Sequence, residues 1–86
     1  MKPIRLSQHA ARYMNVRGFT REEVITAIQT APWKPAQYGE NRFECSLEVP
    51  YHREWNGKKY RTKKLRPVFE ERDLEIVVVT VYTYYY

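Results

Sequence analysis

Ser7-Gln8-His9-Ala10-Ala11-Arg12-Tyr13-Met14-Asn15-Val16-Arg17-Gly18-Phe19-Thr20-Arg21-Glu22-Glu23 holds two helix starts and one helix stop. Ser7 has the short hydroxyl that caps a first turn, and Gln8 to Arg17 contain neither Gly nor Pro. Gly18 stands where a glycine ends a helix in the left-handed conformation. Thr20-Arg-Glu-Glu23 is a capping box: the Thr20 hydroxyl can accept the Glu23 amide while the Glu23 carboxylate reaches back. Glu22 and Glu23 also complement the positive end of the helix dipole. The second helix is expected from Arg21 to about Ala31, where Pro32 stops it. Val24, Ile25, Ala27, Ile28 and Ala31 fall on one arc of it, so its buried face should pack on a sheet.

Working outward, Ile4-Arg5-Leu6 reads as a short strand before the first helix. Trp33 to Tyr38 follows Pro32 and contains Pro35, and reads as an irregular connection or edge strand. From Arg42 the apolar period becomes two, with Phe43, Cys45, Leu47 and Val49 pointing one way. Asn56-Gly57 is a type I′ hairpin signal between Tyr51–Trp55 and Lys58–Thr62. A further extended run covers Leu65 to Glu71. Leu74 to Tyr86 is rich in β-branched and aromatic residues on both faces, the mark of a central strand. The order is β-α-α-β-β-β-β, an α+β layer arrangement over residues 1–86 as one domain, with both helices on one face.

The 86 residues allow one modest core. Fifteen Lys and Arg against ten Asp and Glu leave a net charge of +5, which favours polyanionic partners. Eight tyrosines, two tryptophans and three phenylalanines can fill a small core or stack on unpaired bases. A single cysteine, Cys45, excludes an intramolecular disulfide and any multi-cysteine zinc site. Its place on the apolar face of its strand reads as an inert buried thiol. Met1 to Ala10 lacks a signal-peptide apolar run, and Ile76 to Val79 is far too short to span a membrane, so the expectation is a soluble cytoplasmic protein. Nothing in the residue pattern suggests a bound metal or cofactor: two histidines are too few, and no carboxylate cluster has ligand spacing.

Three groups of residues could carry chemistry. On the first helix, Ala10, Tyr13, Met14 and Val16 form an apolar arc at about 100° per residue. His9 lies between Val16 and Tyr13, Arg17 falls inside the arc at the helix end, and Arg12 sits on its border. One reading tucks His9 into the core rim and leaves Arg17 to the helix C-terminus. The other brings His9 and Arg17 to the sheet rim, the one for proton transfer, the other to clamp a phosphate. The second group is Lys58-Lys59-Tyr60-Arg61-Thr62-Lys63-Lys64-Leu65-Arg66, six basic residues of nine and no acid. It reads as an edge strand protected by lysines against aggregation, or as a cationic groove helped by Tyr51, Trp55 and Tyr60. An acidic protein would suit it equally. Charge on both faces implies that none of these cations is buried. The third group is the last strand, where Thr80, Tyr82 and Tyr84 are expected to share the face of Ile76 and Val78. Thr80 and Tyr82 then place two hydroxyls about 7 Å apart, although strand propensity alone accounts for both.

Ile4-Arg-Leu-Ser7-Gln-His9-Ala10, Met14, Arg17-Gly18-Phe19-Thr20, Glu22-Glu23 and Val78-Val79-Thr80-Val81-Tyr82 together resemble a bacterial domain family of unknown function. Its pattern is a short strand, "HA", a methionine, "RG", a Ser/Thr cap, an "eev" helix and a final "vvTvy" strand. That family is similar, at a distance, to the RelE/ParE toxins, within a wider group of metal-independent ribonuclease folds. The resemblance covers the first third and the last fifth of the chain. It departs at Tyr13, where the family usually has arginine, and Arg12 precedes it. RelE enzymes also use basic strand residues and groups near the C-terminus, for which Lys63, Arg66 and Tyr82 could stand in. The resemblance implies a RelE/ParE-like fold: a short strand, a two-helix hairpin and a twisted antiparallel sheet of about four strands.

The functional expectation is a toxin-module endoribonuclease acting on mRNA or ribosome-bound mRNA without a metal. His9 would transfer a proton, Arg17 and Arg66 would hold phosphate, and Thr80 and Tyr82 would position or donate. Arg12, Lys58, Lys59, Arg61, Lys63, Lys64 and Arg66 would bind the nucleic acid, and an acidic antitoxin would be the protein partner. Two alternatives stand beside it. One is a non-catalytic basic module for nucleic acid or an acidic protein, and the other is a ParE-like inhibitor of another protein.

Overall fold

In the computed structural model, which describes residues 2–37 and 39–86, the local signals decide where each helix starts and stops. Tyr38, at the end of the expected irregular connection, lies outside the described residues. Strand β1 (Ile4–Leu6) leads into Ser7, whose hydroxyl accepts the Ala10 amide at 3.1 Å and opens α1 (Gln8–Arg12). The helix does not run on to Arg17. Tyr13 turns with φ −96° and ψ 4°, its amide donating to the Ala10 carbonyl at 3.2 Å, and α2 (Met14–Arg17) begins after it. This tight turn shifts the helical phase. Val16, expected on the apolar arc, is 68% exposed, and Ala10 is the one fully buried residue of the two helices.

Gly18 closes α2 at φ 76°. A side chain is excluded there twice over, by the left-handed backbone and by the Trp55 ring 2.7 Å from where a Cβ would sit. The capping box of α3 (Arg21–Thr30) is complete: Thr20 Oγ1 accepts the Glu23 amide at 3.1 Å, and Glu23 Oε1 accepts the Thr20 amide at 2.9 Å. The helix ends at Ala31, in extended backbone before Pro32, with Val24, Ala27 and Ile28 buried.

The remaining strands are β2 (Lys34–Pro35), β3 (Arg42–Glu44), β4 (Leu47–Trp55), β5 (Lys58–Glu71) and β6 (Ile76–Tyr85). They form one six-stranded sheet in the order β1-β6-β5-β3-β2, with β4 also pairing β5. The fold is α+β, but the sheet is mixed: β1 runs parallel to β6, Ile4 opposite Ile76 and Leu6 opposite Val78. A three-residue strand carries no local signal of its partner, so the expected antiparallel sheet of about four strands misses this pair. The Asn56-Gly57 turn has both φ values positive, 50° and 82°, and joins β4 to β5. The two expected runs at Lys58–Thr62 and Leu65–Glu71 are a single 14-residue strand. It is central, flanked by β6 on one side and by β3 and β4 on the other, so the basic run is not an edge strand.

β3 and the first part of β4, from Leu47 to Pro50, share one register along β5, interrupted opposite Pro67; β4 then shifts register between Pro50 and Arg53. The Cys45 amide donates to the Pro67 carbonyl at 3.4 Å, and no return bond forms because proline has no N–H. In β6, Val68 pairs with Thr80 and Phe69 with Val78, so Val79 is an extra residue. This bulge reverses the expected alternation. Val81 joins Ile76 and Val78 in the core, while Tyr82 and Tyr84 are 39% and 41% exposed.

α1 packs on β6 and α3 on β5, closing a core of Ala10, Phe19, Val24, Ala27, Ile28, Cys45, Leu65, Phe69, Ile76, Val78 and Val81. Trp33 donates its indole N–H to the Ile28 carbonyl at 2.8 Å and sets its ring edge-on to Phe69 at 4.8 Å. Phe69, fully buried, would cost about 3–5 kcal/mol if truncated to alanine. Along β5, Lys63, Leu65, Pro67 and Phe69 face the helices, while Lys64, Arg66 and Val68 remain half-buried on the other side. Among the described residues no helix is long and apolar enough to cross a membrane.

Candidate functional site

β1 covers the outer edge of β6 only as far as Val78. Side chains take over from there. Ser7 donates its amide to the Val78 carbonyl at 3.0 Å and its hydroxyl to the Val79 carbonyl at 3.3 Å. Arg17 Nη1 donates to the Val81 carbonyl at 2.9 Å and to Thr80 Oγ1 at 3.2 Å. In return, the hydroxyls of Thr83 and Tyr85 donate to the Arg17 carbonyl at 2.7 and 2.9 Å. Arg17 is thus held at both its backbone and its guanidinium, at the place where the bulge turns Thr80 and Tyr82 outward.

From this anchor a row of alternating rings and cations crosses the rim and the open face of the sheet. The exposed His9 ring lies 5.0 Å from Tyr13, and the Arg17 guanidinium sits 4.3 Å from the Tyr13 ring centre and 5.4 Å from that of Tyr82. Arg66 lies 4.8 Å from Tyr82 and 5.8 Å from Tyr84, and Lys64 Nζ is 5.9 Å from Tyr84. The sheet register explains the second half, because Arg66 stands opposite Tyr82 and Lys64 opposite Tyr84. Cation–π contacts hold the guanidiniums beside the rings without using up their charge.

That charge is uncompensated. Among the described residues the ion pairs are made by Lys2, Arg5, Lys34, Arg42, Lys63 and Arg72, and none by Arg17, Lys64 or Arg66. Arg66 Nε is buried with no hydrogen-bond partner. A buried N–H without an acceptor is unfavourable unless a ligand supplies one. Beside it lies a depression of about 550 Å³, lined by Arg66, Thr80 and Tyr82 on one side and by Lys34, Arg42 and Glu44 on the other. Planar cations beside exposed rings can take phosphates and unstacked bases together.

The structure therefore brings together Arg17, Thr80, Tyr82 and Arg66, with His9 one ring away through Tyr13 and Lys64 at the far end. His9 is exposed rather than tucked into the core rim. Arg12 is exposed on α1, and Lys58, Lys59 and Arg61 are exposed near the hairpin. Lys59 stands roughly 23 Å from Arg66 along a strand rising ~3.3 Å per residue, so these cations form a separate patch.

Lys63 corrects the expectation that the basic run is unburied. It is 4% exposed on the helix side of the sheet, and its ammonium donates to Glu23 Oε1 at 2.8 Å. Tyr51, Tyr60 and Trp55 are likewise drawn inward, packing around Tyr85 at ring separations of 5.2, 5.7 and 5.1 Å. Burial, with Tyr51 and Glu23 nearby, pushes the Tyr85 hydroxyl up to about 12. Cys45 donates its thiol to the Ala27 carbonyl, and burial beside Glu44 raises it to about 11, as befits an unreactive thiol.

Tyr13, Tyr84 and Glu44 were not among the expected site residues. Tyr84 could have been found from the cross-strand register, had the bulge been visible. Tyr13 had a signal, since it replaces the arginine usual before the methionine.

A family model described as a domain of unknown function, DUF4258, matches residues 6–83. No curated protein and no solved structure matches the chain.

Proposed function

The chain belongs to the DUF4258 family, and we propose that it is a RelE/ParE-like toxin-module ribonuclease that binds single-stranded RNA on the open face of its sheet and cleaves it without a metal. The observation that carries this reading is the row from His9 to Lys64, in which three cations without acidic partners alternate with three tyrosines. Single strands are held by such surfaces through backbone charge and stacking.

RNA brings its own nucleophile. The 2′-hydroxyl attacks the adjacent phosphorus, and the bond to the 5′-oxygen breaks, leaving a 2′,3′-cyclic phosphate and a free 5′-hydroxyl. His9 takes the proton from the 2′-hydroxyl, and the Tyr82 hydroxyl gives one to the departing oxygen. Arg17 and Arg66 balance the charge that builds on the phosphoryl oxygens. Thr80 positions Arg17, with which it shares a 3.2 Å hydrogen bond. Arg12, Lys58, Lys59 and Arg61 add a field that attracts the strand from outside the row. An acidic antitoxin would silence the protein by neutralising the same cations.

The test is incubation of purified protein with single-stranded RNA and with ribosome-bound mRNA in the presence of a chelator. Cleavage with cyclic phosphate ends is expected, with His9→Ala slowing it about a hundredfold or more while binding persists. Intact RNA in both reactions discards the nuclease. A second reading, a non-catalytic RNA-binding module, is favoured by one observation: among the described residues nothing hydrogen-bonds the His9 ring to orient it. In that case His9→Ala changes nothing, and Arg66→Ala alone weakens binding.

A further inference from the structure

The depression beside Arg66 has one wall made by the row of cations and rings and another made by β2, β3 and the residues that follow β2. Resting on the RNA-binding reading above, we infer that this depression is a nucleobase pocket selective for guanine, with Glu44 reading the base edge.

Among the described residues Glu44 is the one acidic residue lining the depression, and its side chain is 17% exposed. Its ion-pair partner, Lys34, is 3.5 Å away and 69% exposed, so the pair is weak and easily exchanged. A carboxylate at this depth can accept two parallel N–H groups, one on each oxygen. Unpaired bases are read on their Watson–Crick edges. Only guanine carries two adjacent donors there, N1–H and the N2 amine. Adenine and cytosine each place an amine beside a bare acceptor nitrogen, whose lone pair would face the second carboxylate oxygen. Uracil has a single N–H between two carbonyls, both repelled by the carboxylate.

The rest of the pocket fits the same base. Gln37 and Lys34 supply donors for the guanine O6. Val68 and Val79 give an apolar lining, and Tyr82, 39% exposed, offers a ring face at the rim. Arg66, whose Nε is buried without a partner, lines the same depression and brings positive charge to the nucleotide that occupies it.

The experiment uses the full chain and short oligouridine strands carrying one central G, A, C, inosine or N1-methylguanosine, with binding measured directly. Strands containing G should bind about tenfold or more tighter than those containing A or C, the scale of a hydrogen bond to a charged group. Inosine, lacking the N2 amine, should lose most of that advantage, and N1-methylguanosine all of it. Glu44→Gln should remove the preference while plain oligouridine still binds, at least as tightly because an acidic charge is lost; the base analogues give the same answer on the unmutated protein. Equal affinity for G, A and C, or a G preference untouched by the analogues, overturns the guanine pocket while leaving RNA binding in place. Failure of every strand, oligouridine included, to bind overturns the RNA-binding reading and the pocket with it.

Discussion

Lys63 and Lys64 are neighbours in the chain and opposites in the fold. Lys63 enters the helix-covered face, where Glu23 at the start of α3 meets it at 2.8 Å. Lys64 faces outward beside Tyr84, at the end of a row of cations that no carboxylate neutralises among the described residues. Among the described residues the covered face satisfies its one buried cation internally, and the open face leaves Arg17, Lys64 and Arg66 without an acidic partner. Charge on a strand is thus no guide to binding until each residue has a face. A double substitution of both lysines would confuse unfolding with lost binding.

The contrast is broken most forcefully at Glu23. Glu23→Gln leaves Lys63 buried without its counter-charge and should lower stability by about 3 kcal/mol in urea unfolding. Lys64→Gln should stay within about 0.5 kcal/mol of the parent in the same measurement, with its effect appearing in RNA affinity instead. An equal loss from both would remove the distinction between the faces. A smaller effect is expected at the rim that joins them. Gly18→Ala must hold a side chain at φ 76° against the Trp55 ring and should lose about 2 kcal/mol, read from the same unfolding curves.

The smallest effect concerns exposed ion pairs, which sharpen the comparison with the buried one. Hydrogen bonding from Arg5 holds the Glu75 carboxyl below its usual range, and Arg72 does the same to Glu70. A lowered folded-state value means the contribution is complete above the unfolded glutamate value of about 4.3 and fades as pH falls below it. The melting temperature should therefore decline slightly from pH 5 downward, and Glu75→Gln should flatten part of that decline. A melting temperature indifferent to acid would show that these surface pairs contribute nothing.

The site was only partly legible beforehand, for a reason visible in two elements. Arg17, Thr80, Tyr82 and Arg66 were each singled out, and the fold brings them together. Their faces were not readable, because the extra residue at Val79 reverses the alternation of β6 at that point. The Tyr13 turn does the same to the first helix, exposing Val16 while setting Tyr13 between His9 and Arg17. In both places a single backbone irregularity resets the phase, and periodic patterns carry no warning of it.

By itself the sequence determined the Ser7 and Thr20 caps, the Gly18 stop and the Asn56-Gly57 turn, whereas the last strand, expected to be central, has β1 on its outer side only as far as Val78. The caps, the stop and the turn depend on hydrogen bonds and backbone preferences acting over three or four residues. Only the tertiary structure decided that β1 lies parallel to β6, that Lys63 is buried and that rings and cations alternate across the open face. Those outcomes rest on contacts between residues far apart in the chain, where packing and register, rather than local preference, set which side chains meet.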